Sequence, residues 1–467
     1  MSASPYPVAT LLLGSALALG CSSEAAPNAT GGGGGAADST TATVSTGAAS
    51  SSSTGVYSTC GLEIDSGLRP KAVPEGWLPW TCNPGCEFWI PPDQASMPSP
   101  IEWEACPAYA THPCNRMSTP WSDGDGWALR TDVSFAPTAD GGALLHLGRI
   151  AWNGNGDADS YVESVIGDVD GGPLEFAMRW RNQGCGASAG SLSSDVFSIN
   201  LVGAGGDAYE TDVDALMLGH IGSLDPVMPY RDANPGLSQW YSGPTLVVRL
   251  DHGSKLTAYP HDLSSSFDFY SPAMNPDHAE FSPAPLFFGS EALFTAADYN
   301  AAAVWAYDEG RGPHPLVSFP GDTSRGAFNI GSDGVDMVWN EGEGKEPNTR
   351  GWYPTVSIMT APYTTDPAEV KGRRLRADPN PDISQSSHFA VGCGYGAKSL
   401  GGVGVQIVRL SDGAGWFLEP NAQWRPEVAV GVTCEFVFIQ VNDVEGGQGP
   451  AIARVPIASL GKPLPPD

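Results

Sequence analysis

Short apolar runs alternate with polar ones along this chain, and from about residue 140 two kinds of run recur. The first is an apolar–any–apolar triplet closed by glycine. It reads Leu145-His146-Leu147-Gly148, Leu216-Met217-Leu218-Gly219, Leu286-Phe287-Phe288-Gly289, Phe328-Asn329-Ile330-Gly331, Phe389-Ala390-Val391-Gly392 and Val428-Ala429-Val430-Gly431. Runs of this length, rich in β-branched and aromatic residues, predict strands. The closing glycine suits a turn or bulge that needs positive φ. The second run is an apolar strand ending near a turn: Leu246–Leu250, Val304–Tyr307, Val356–Met359, Ile407–Leu410 and Ile452–Val455, with Val196–Leu201 as an earlier member. Asp-Gly turns such as Asp333-Gly334 and Asp412-Gly413 punctuate the runs as hairpin loops.

The two runs interleave, and the second repeats at intervals of about 45–57 residues, a period that points to propeller blades. A blade is a small antiparallel sheet that cannot cover its own two faces, so blades bury them by stacking around an axis. The fold class expected is all-β, a propeller of six or seven blades; a β-sandwich or solenoid is the alternative. The last repeat, 426–460, carries only three strands, so the ring needs one from the N-terminal side, with Cys86–Ile90 or Ile101–Trp103 as candidates. On these repeats residues 85–460 resemble a WD40/YVTN-type β-propeller, although no Gly-His…Trp-Asp pair recurs.

Residues 1–20 read as a signal peptide, because Val8–Gly20 is an apolar stretch too short to span a bilayer comfortably. Leu17-Ala18-Leu19-Gly20-Cys21 resembles a bacterial lipobox, which implies lipidation of Cys21. The whole chain is thus similar to a propeller lipoprotein of a Gram-negative bacterial envelope. That resemblance implies attachment to the outer membrane or cell surface by acyl chains alone; secretion is the alternative. Residues 21–59 are mostly Gly, Ser, Thr and Ala, with glycine at 31–35, a disordered tether by composition.

Composition narrows the field further. Gly numbers 58 and Pro 41, which disfavours a helical bundle. Lys plus Arg is 23 against 52 Asp plus Glu, a net charge of −29. Such a surface repels phosphate backbones, so nucleic acid is not an expected partner. Nine cysteines occur. Apart from Cys21, they are Cys60, Cys82, Cys86, Cys106, Cys114, Cys185, Cys393 and Cys434, an even set that an exported chain would pair as disulfides. Five of these fall in the segment 60–120, and Cys106 and Cys114 are close enough for a local loop. A zinc site of Cys82 and Cys86 with Cys106 and Cys114 is the alternative.

Few local motifs carry chemistry. Asn153, Asn155, Asp157 and Asp159 alternate as the oxygen ligands of calcium loops do, which makes calcium the one expected metal; an acidic hairpin loop is the plain alternative. Gly186-Ala187-Ser188-Ala189-Gly190 has the spacing of a nucleophile elbow but lacks its strand-before, helix-after context. His146, His220 and His388 lie in or beside the glycine-closed strands, where a channel-lining set could hold a metal; separate hydrogen-bonded roles are the expectation. No P-loop, dinucleotide fingerprint or His-Glu-x-x-His is present. No catalytic residue is assigned. The expected function is a monomeric, envelope-anchored, non-catalytic propeller that binds a protein or glycan through its loops. An extracellular polysaccharide hydrolase or lyase, or a structural envelope component, is the alternative. The intervals Gly148–Gly219 and Gly219–Gly289 are the longest and the expected sites of functional insertions, with Trp240 and Tyr241 in the second as possible stacking residues.

Overall fold

The computed structural model describes residues 78–80, 87–90, 101–118, 130–138, 142–151, 160–172, 174–182, 185–193, 196–203, 213–220, 227–232, 239–251, 255–261, 265–271, 274, 285–297, 302–345, 353–378, 389–401, 403–444 and 450–465. The signal peptide, Cys21, the tether, Cys60, Cys82, Cys86 and the calcium-loop residues Asn153, Asn155, Asp157 and Asp159 lie outside them.

Seven antiparallel sheets follow one another along the chain, so the ring has seven blades. Blade 1 is β5 (Arg130–Pro137), β6 (Ala143–Ala151), β7 (Ser160–Asp168) and β8 (Leu174–Asn182), extended by β2 (Glu87–Ile90) and β1 (Leu78–Trp80). Blade 2 runs from β9 (Cys185–Ser193) through β10 (Val196–Gly203) and β11 (Val213–His220) to β12 (Val227–Asp232). Blade 3 is β13 (Gln239–Ser242), β14 (Leu246–Asp251), β15 (Lys255–Pro260) and β16 (Phe267–Tyr270). Blade 4 is β17 (Leu286–Phe288), β18 (Glu291–Ala297), β19 (Ala302–Asp308) and β20 (Gly312–Val317). Blade 5 holds β21 (Arg325–Ser332), β22 (Asp336–Glu343), β23 (Thr355–Pro362) and β24 (Arg373–Ala377). Blade 6 holds β25 (Phe389–Gly392), β26 (Tyr395–Ser399), β27 (Val405–Arg409) and β28 (Gly415–Leu418). Blade 7 takes three strands from the C-terminal side, β29 (Trp424–Val432), β30 (Phe436–Asp443) and β31 (Pro450–Pro456).

Two strands from the N-terminal side complete blade 7. β4 (Asn115–Ser118) pairs antiparallel with β31, and β3 (Glu102–Ala105) pairs with β4. Neither segment suggested by sequence takes the place beside β31. Glu102 and Trp103 belong to the fifth strand, β3, Ile101 bridges to Gly172, and Glu87–Ile90 joins blade 1 instead.

First strands adjoin one another in six of the blades: β29 touches β5, β5 touches β9, β9 touches β13, and β21 and β29 both touch β25, whereas blade 4 meets β21 through β18 and β19. Four of the six glycine-closed triplets fall on first strands, those of blades 4 to 7. The other two lie on β6 and β11, a second and a third strand. That slip corrects the reading of the long intervals as insertions. The stretch from Gly219 to Gly289 contains the whole of blade 3, and Trp240 and Tyr241 stand in its first strand rather than in a loop.

The glycines also serve a different purpose from the one expected. Among them only Gly289 has positive φ. A Cβ at Gly331 would overlap the Phe389 carbonyl, one at Gly392 the Val432 carbonyl, and one at Gly431 the Phe135 ring. These glycines let neighbouring first strands approach closely where the ring is narrowest.

Apolar clusters straddle the blade boundaries, which is what holds the ring together. Phe269 and Tyr270 of blade 3 pack on Phe294 and Trp305 of blade 4. Val338 and Leu375 of blade 5 pack with Val391 and Val408 of blade 6. At the closure, Ile101 and Met117 join Leu145 and Val165 of blade 1 and Phe438 and Ile452 of blade 7. Each such side chain, fully buried, contributes about 1.5–3 kcal/mol.

Candidate functional site

Strand alternation sorts the connections to two ends of the ring. The turns from first to second strand share one end: Cys393 and Cys434 in two of them form a disulfide, and Gly243 and Gly334 in two others abut Phe287 and Phe288 at the end of β17. These turns are tight hairpins, such as 289–290 and 393–394. Third-to-fourth connections lie at the same end. The opposite end gathers the second-to-third and fourth-to-first connections, including 271–285, 344–354 and 378–388.

The largest described cluster of titratable groups sits at the hairpin end, between blades 4 and 5. Tyr363 donates its hydroxyl to Glu291 Oε2 at 2.8 Å. Arg311 donates from Nε to Asp308 at 2.8 Å and lies 3.2 Å from Asp366 through Nη1. His314 faces two carbonyls at 2.7 Å, those of Gly312 and Thr365. Burial, and then the Glu291 carboxylate, push the Tyr363 phenol well above its ordinary range. Against a push from burial, the backbone N–H and guanidinium of Arg311 hold Asp308 below the usual carboxylate range. A tyrosine so raised is a poor general base and a carboxylate so lowered is a poor general acid. The cluster does the work of a strut: its bonds run from β18, β19 and β20 of blade 4 to the connection that follows β23 of blade 5.

At the loop-rich end Lys398 of β26 donates to Asp378, which follows β24, and both side chains are fully buried. Burial lowers Lys398 to about 8, against the pull of Asp378. In blade 1, His146 is wholly buried and its Nε2 lies 2.5 Å from Ser164 Oγ, on the neighbouring strand. Burial lowers His146 to about 3, so it stays neutral at working pH. With no solvent access, this Ser–His contact has no path for a substrate.

The residues singled out by sequence do not converge. Ser188 sits inside β9, paired opposite Asn200, with no helix after it, so the elbow-like spacing is an ordinary strand. His146 and His220 lie on second and third strands of different blades, and His388 is outside the described residues. Cys106 pairs with Cys114, which removes two ligands from the zinc alternative. Cys185 opens β9. No group of three or more His, Cys, Asp or Glu able to hold a metal occurs among the described residues. Sequence missed the Lys398–Asp378 pair and the strut, because their partners come together only when blades stack.

No protein-family model matches the chain. No curated protein matches it either. Solved structures similar to it include an oligogalacturonate lyase in complex with manganese, at 13% identity and TM-score 0.47, covering 77% of this chain and 98% of that one. The β-propeller domain of the Trilobed protease from Pyrococcus furiosus, described with an open velcro topology, is 11% identical with TM-score 0.44, covering 71% and 94%. BamB from Moraxella catarrhalis is 9% identical with TM-score 0.35, covering 77% and 97%.

Proposed function

We propose that this protein is an envelope-anchored, non-catalytic propeller that binds a protein or glycan through the loop-rich end of its ring. The observation that supports this is the inequality of the two ends. Short first-to-second turns and the strut-bound connection 363–372 cap one, while the other carries the connections 271–285, 344–354 and 378–388. Long connections on a rigid scaffold are where binding residues concentrate. The titratable clusters add to it, since each is tied up between strands or blades. In this reading Cys21 carries the acyl anchor, and Asn153, Asn155, Asp157 and Asp159 take calcium.

The test is a thermal-shift screen of the full chain against calcium, EDTA and soluble envelope and matrix glycans. It is repeated on a variant whose 344–354 connection is replaced by a two-residue turn. A glycan that raises the melting temperature of the parent and not of the variant supports the reading, provided no product accumulates. Product formation sinks the non-catalytic claim. A calcium shift reversed by EDTA and lost in Asp157→Asn supports the calcium loop. Its absence removes that loop as a metal site. Metabolic labelling with palmitate, lost in Cys21→Ala, tests the anchor.

A further inference from the structure

Cys393 and Cys434 both stand exposed to solvent, although the disulfide they form joins two blades. Each sits in the turn that follows a first strand, β25 of blade 6 and β29 of blade 7. The other disulfide among the described residues is built differently. Cys106 and Cys114 are half-buried against the apolar cluster shared by blades 6 and 7, and they close only a local loop. Cys393 also holds a backbone conformation that L-residues rarely adopt, with φ of 49°, followed by Gly394 at 75°. Two such residues make the primed hairpin turn, whose first position favours Asn, Asp or Gly. Blade 4 puts a glycine there, Gly289. The turn alone gives no reason for a cysteine, and strained backbone of this kind collects at switch regions.

We propose that Cys393–Cys434 is a redox-labile clasp, a site where an external dithiol opens the hairpin end between blades 6 and 7 while the ring stays folded. Thiol–disulfide exchange requires access to the sulfurs, and of the two described disulfides this one is exposed. A thiolate of the dithiol attacks one cysteine sulfur, the protein S–S bond breaks, and the other cysteine leaves as a thiolate that takes up a proton. The dithiol's second thiol loses its proton, attacks the mixed disulfide and closes the reagent into a cyclic disulfide. The released cysteine takes up a proton as well, so the protein gains two electrons and the dithiol loses two. The ring survives because the two blades are also held beneath the turns. Val405, Ile407 and Trp416 of blade 6 pack with Val437 and Ile439 of blade 7, and Ala429 donates its N–H to Ser399 Oγ at 2.9 Å. What changes is the freedom of the two turns. Nothing in this inference depends on the binding end proposed above, which is the opposite end of the ring.

The test exposes the full oxidised chain to dithiothreitol at pH 8 without denaturant. Samples are quenched with iodoacetamide at intervals, and labelling of Cys393, Cys434, Cys106 and Cys114 is read by mass spectrometry. Cys393 and Cys434 should be labelled about tenfold faster, or more, than Cys106 and Cys114. Tryptophan fluorescence should keep its folded value while they are labelled, and hydrogen exchange should quicken at the turns 393–394 and 433–435 before it does in any blade. Exchanging the reductant for oxidised glutathione should restore the bond and the original protection. Equal labelling of the two pairs overturns the proposal, and so does labelling that appears only as the folded signal is lost. The double variant Cys393→Ser with Cys434→Ser should fold and show the reduced protein's exchange at both turns. Failure of that variant to fold, or exchange at the turns equal to that of the oxidised parent, overturns the proposal as well.

Discussion

Arg116 on β4 donates from Nη1 to Asp443 on β30 at 2.9 Å, and the Asp443 side chain is fully buried. The same carboxylate accepts the Tyr109 hydroxyl at 2.7 Å. Asn421 adds a bond from its side-chain amide to the Tyr109 carbonyl. The N-terminal strand that completes blade 7 is thus fastened by a buried acid as well as by its ladder. Removing that acid takes a charged partner from the partly buried Arg116 guanidinium and a hydrogen bond from the partly buried Tyr109 hydroxyl, so Asp443→Ala should cost about 1–3 kcal/mol. Hydrogen exchange followed by mass spectrometry should show β4 and β31 losing protection before blades 3 to 5. Uniform loss of protection across the ring would count against a closure that opens locally.

The Lys398–Asp378 pair joins blade 6 to blade 5 in the same way, with a pH signature. Burial lowers Lys398 to about 8 from an ordinary 10.5, against the attraction of Asp378. Between those values the unfolded chain holds a proton that the folded chain has released. Stability therefore rises with pH from about 8 to 10.5 on this group's account. Urea midpoints at pH 8 and pH 10 should show the rise in the parent and its loss in Lys398→Met. Either single substitution to Ala should cost about 3–5 kcal/mol, whereas Lys398→Met with Asp378→Leu should come close to neutral.

Blades 4 to 7 were legible in the sequence because their first strands repeat the glycine-closed triplet and their third strands the plain apolar run. Blades 1 to 3 were not, because there the same two patterns land on second and third strands. A strand's own side-chain alternation says which face is buried but not which place it holds in a blade. Closure by the N-terminal side could be anticipated from a final repeat short of one strand. Choosing Asn115–Ser118 could not, since that strand (Asn-Arg-Met-Ser) carries a single apolar residue, Met117. Of the candidate chemistry, only the Cys106–Cys114 pair was visible as local spacing. Lys398 and Asp378 look like ordinary surface charges until two blades stack over them.

His146 makes blade 1 sensitive to acid. Burial lowers it to about 3 from 6.5. As pH falls through that interval the unfolded chain takes up a proton that the folded one refuses, so stability is lost progressively, by several kcal/mol over the full range. His146→Leu removes the titration and the orphaned Nδ1 together. The variant should show a flatter stability profile between pH 6.5 and pH 4 in urea unfolding. A slope equal to the parent's would mean that other groups carry the acid response.

The disulfide Cys393–Cys434 ties the first hairpin turns of blades 6 and 7 across a sequence separation of 41. Closing a loop of that length in the unfolded chain corresponds to about 4 kcal/mol in the chain-entropy treatment. The Cys106–Cys114 loop, with a separation of 8, corresponds to about 2.5 kcal/mol. Replacing each pair with serine should therefore lower the urea midpoint more for the longer loop. Next to the first of these turns, Gly392 ends β25, and its hydrogen atom occupies the space a methyl group would need against the Val432 carbonyl. Gly392→Ala must push β25 away from β29 or bend it, at about 1–3 kcal/mol. If the disulfide fixes the spacing of those turns, the strand cannot yield while it is intact. The alanine variant should then lose more stability oxidised than reduced, and equal losses in the two states would show that the first strands, not the cross-link, set the distance between the blades.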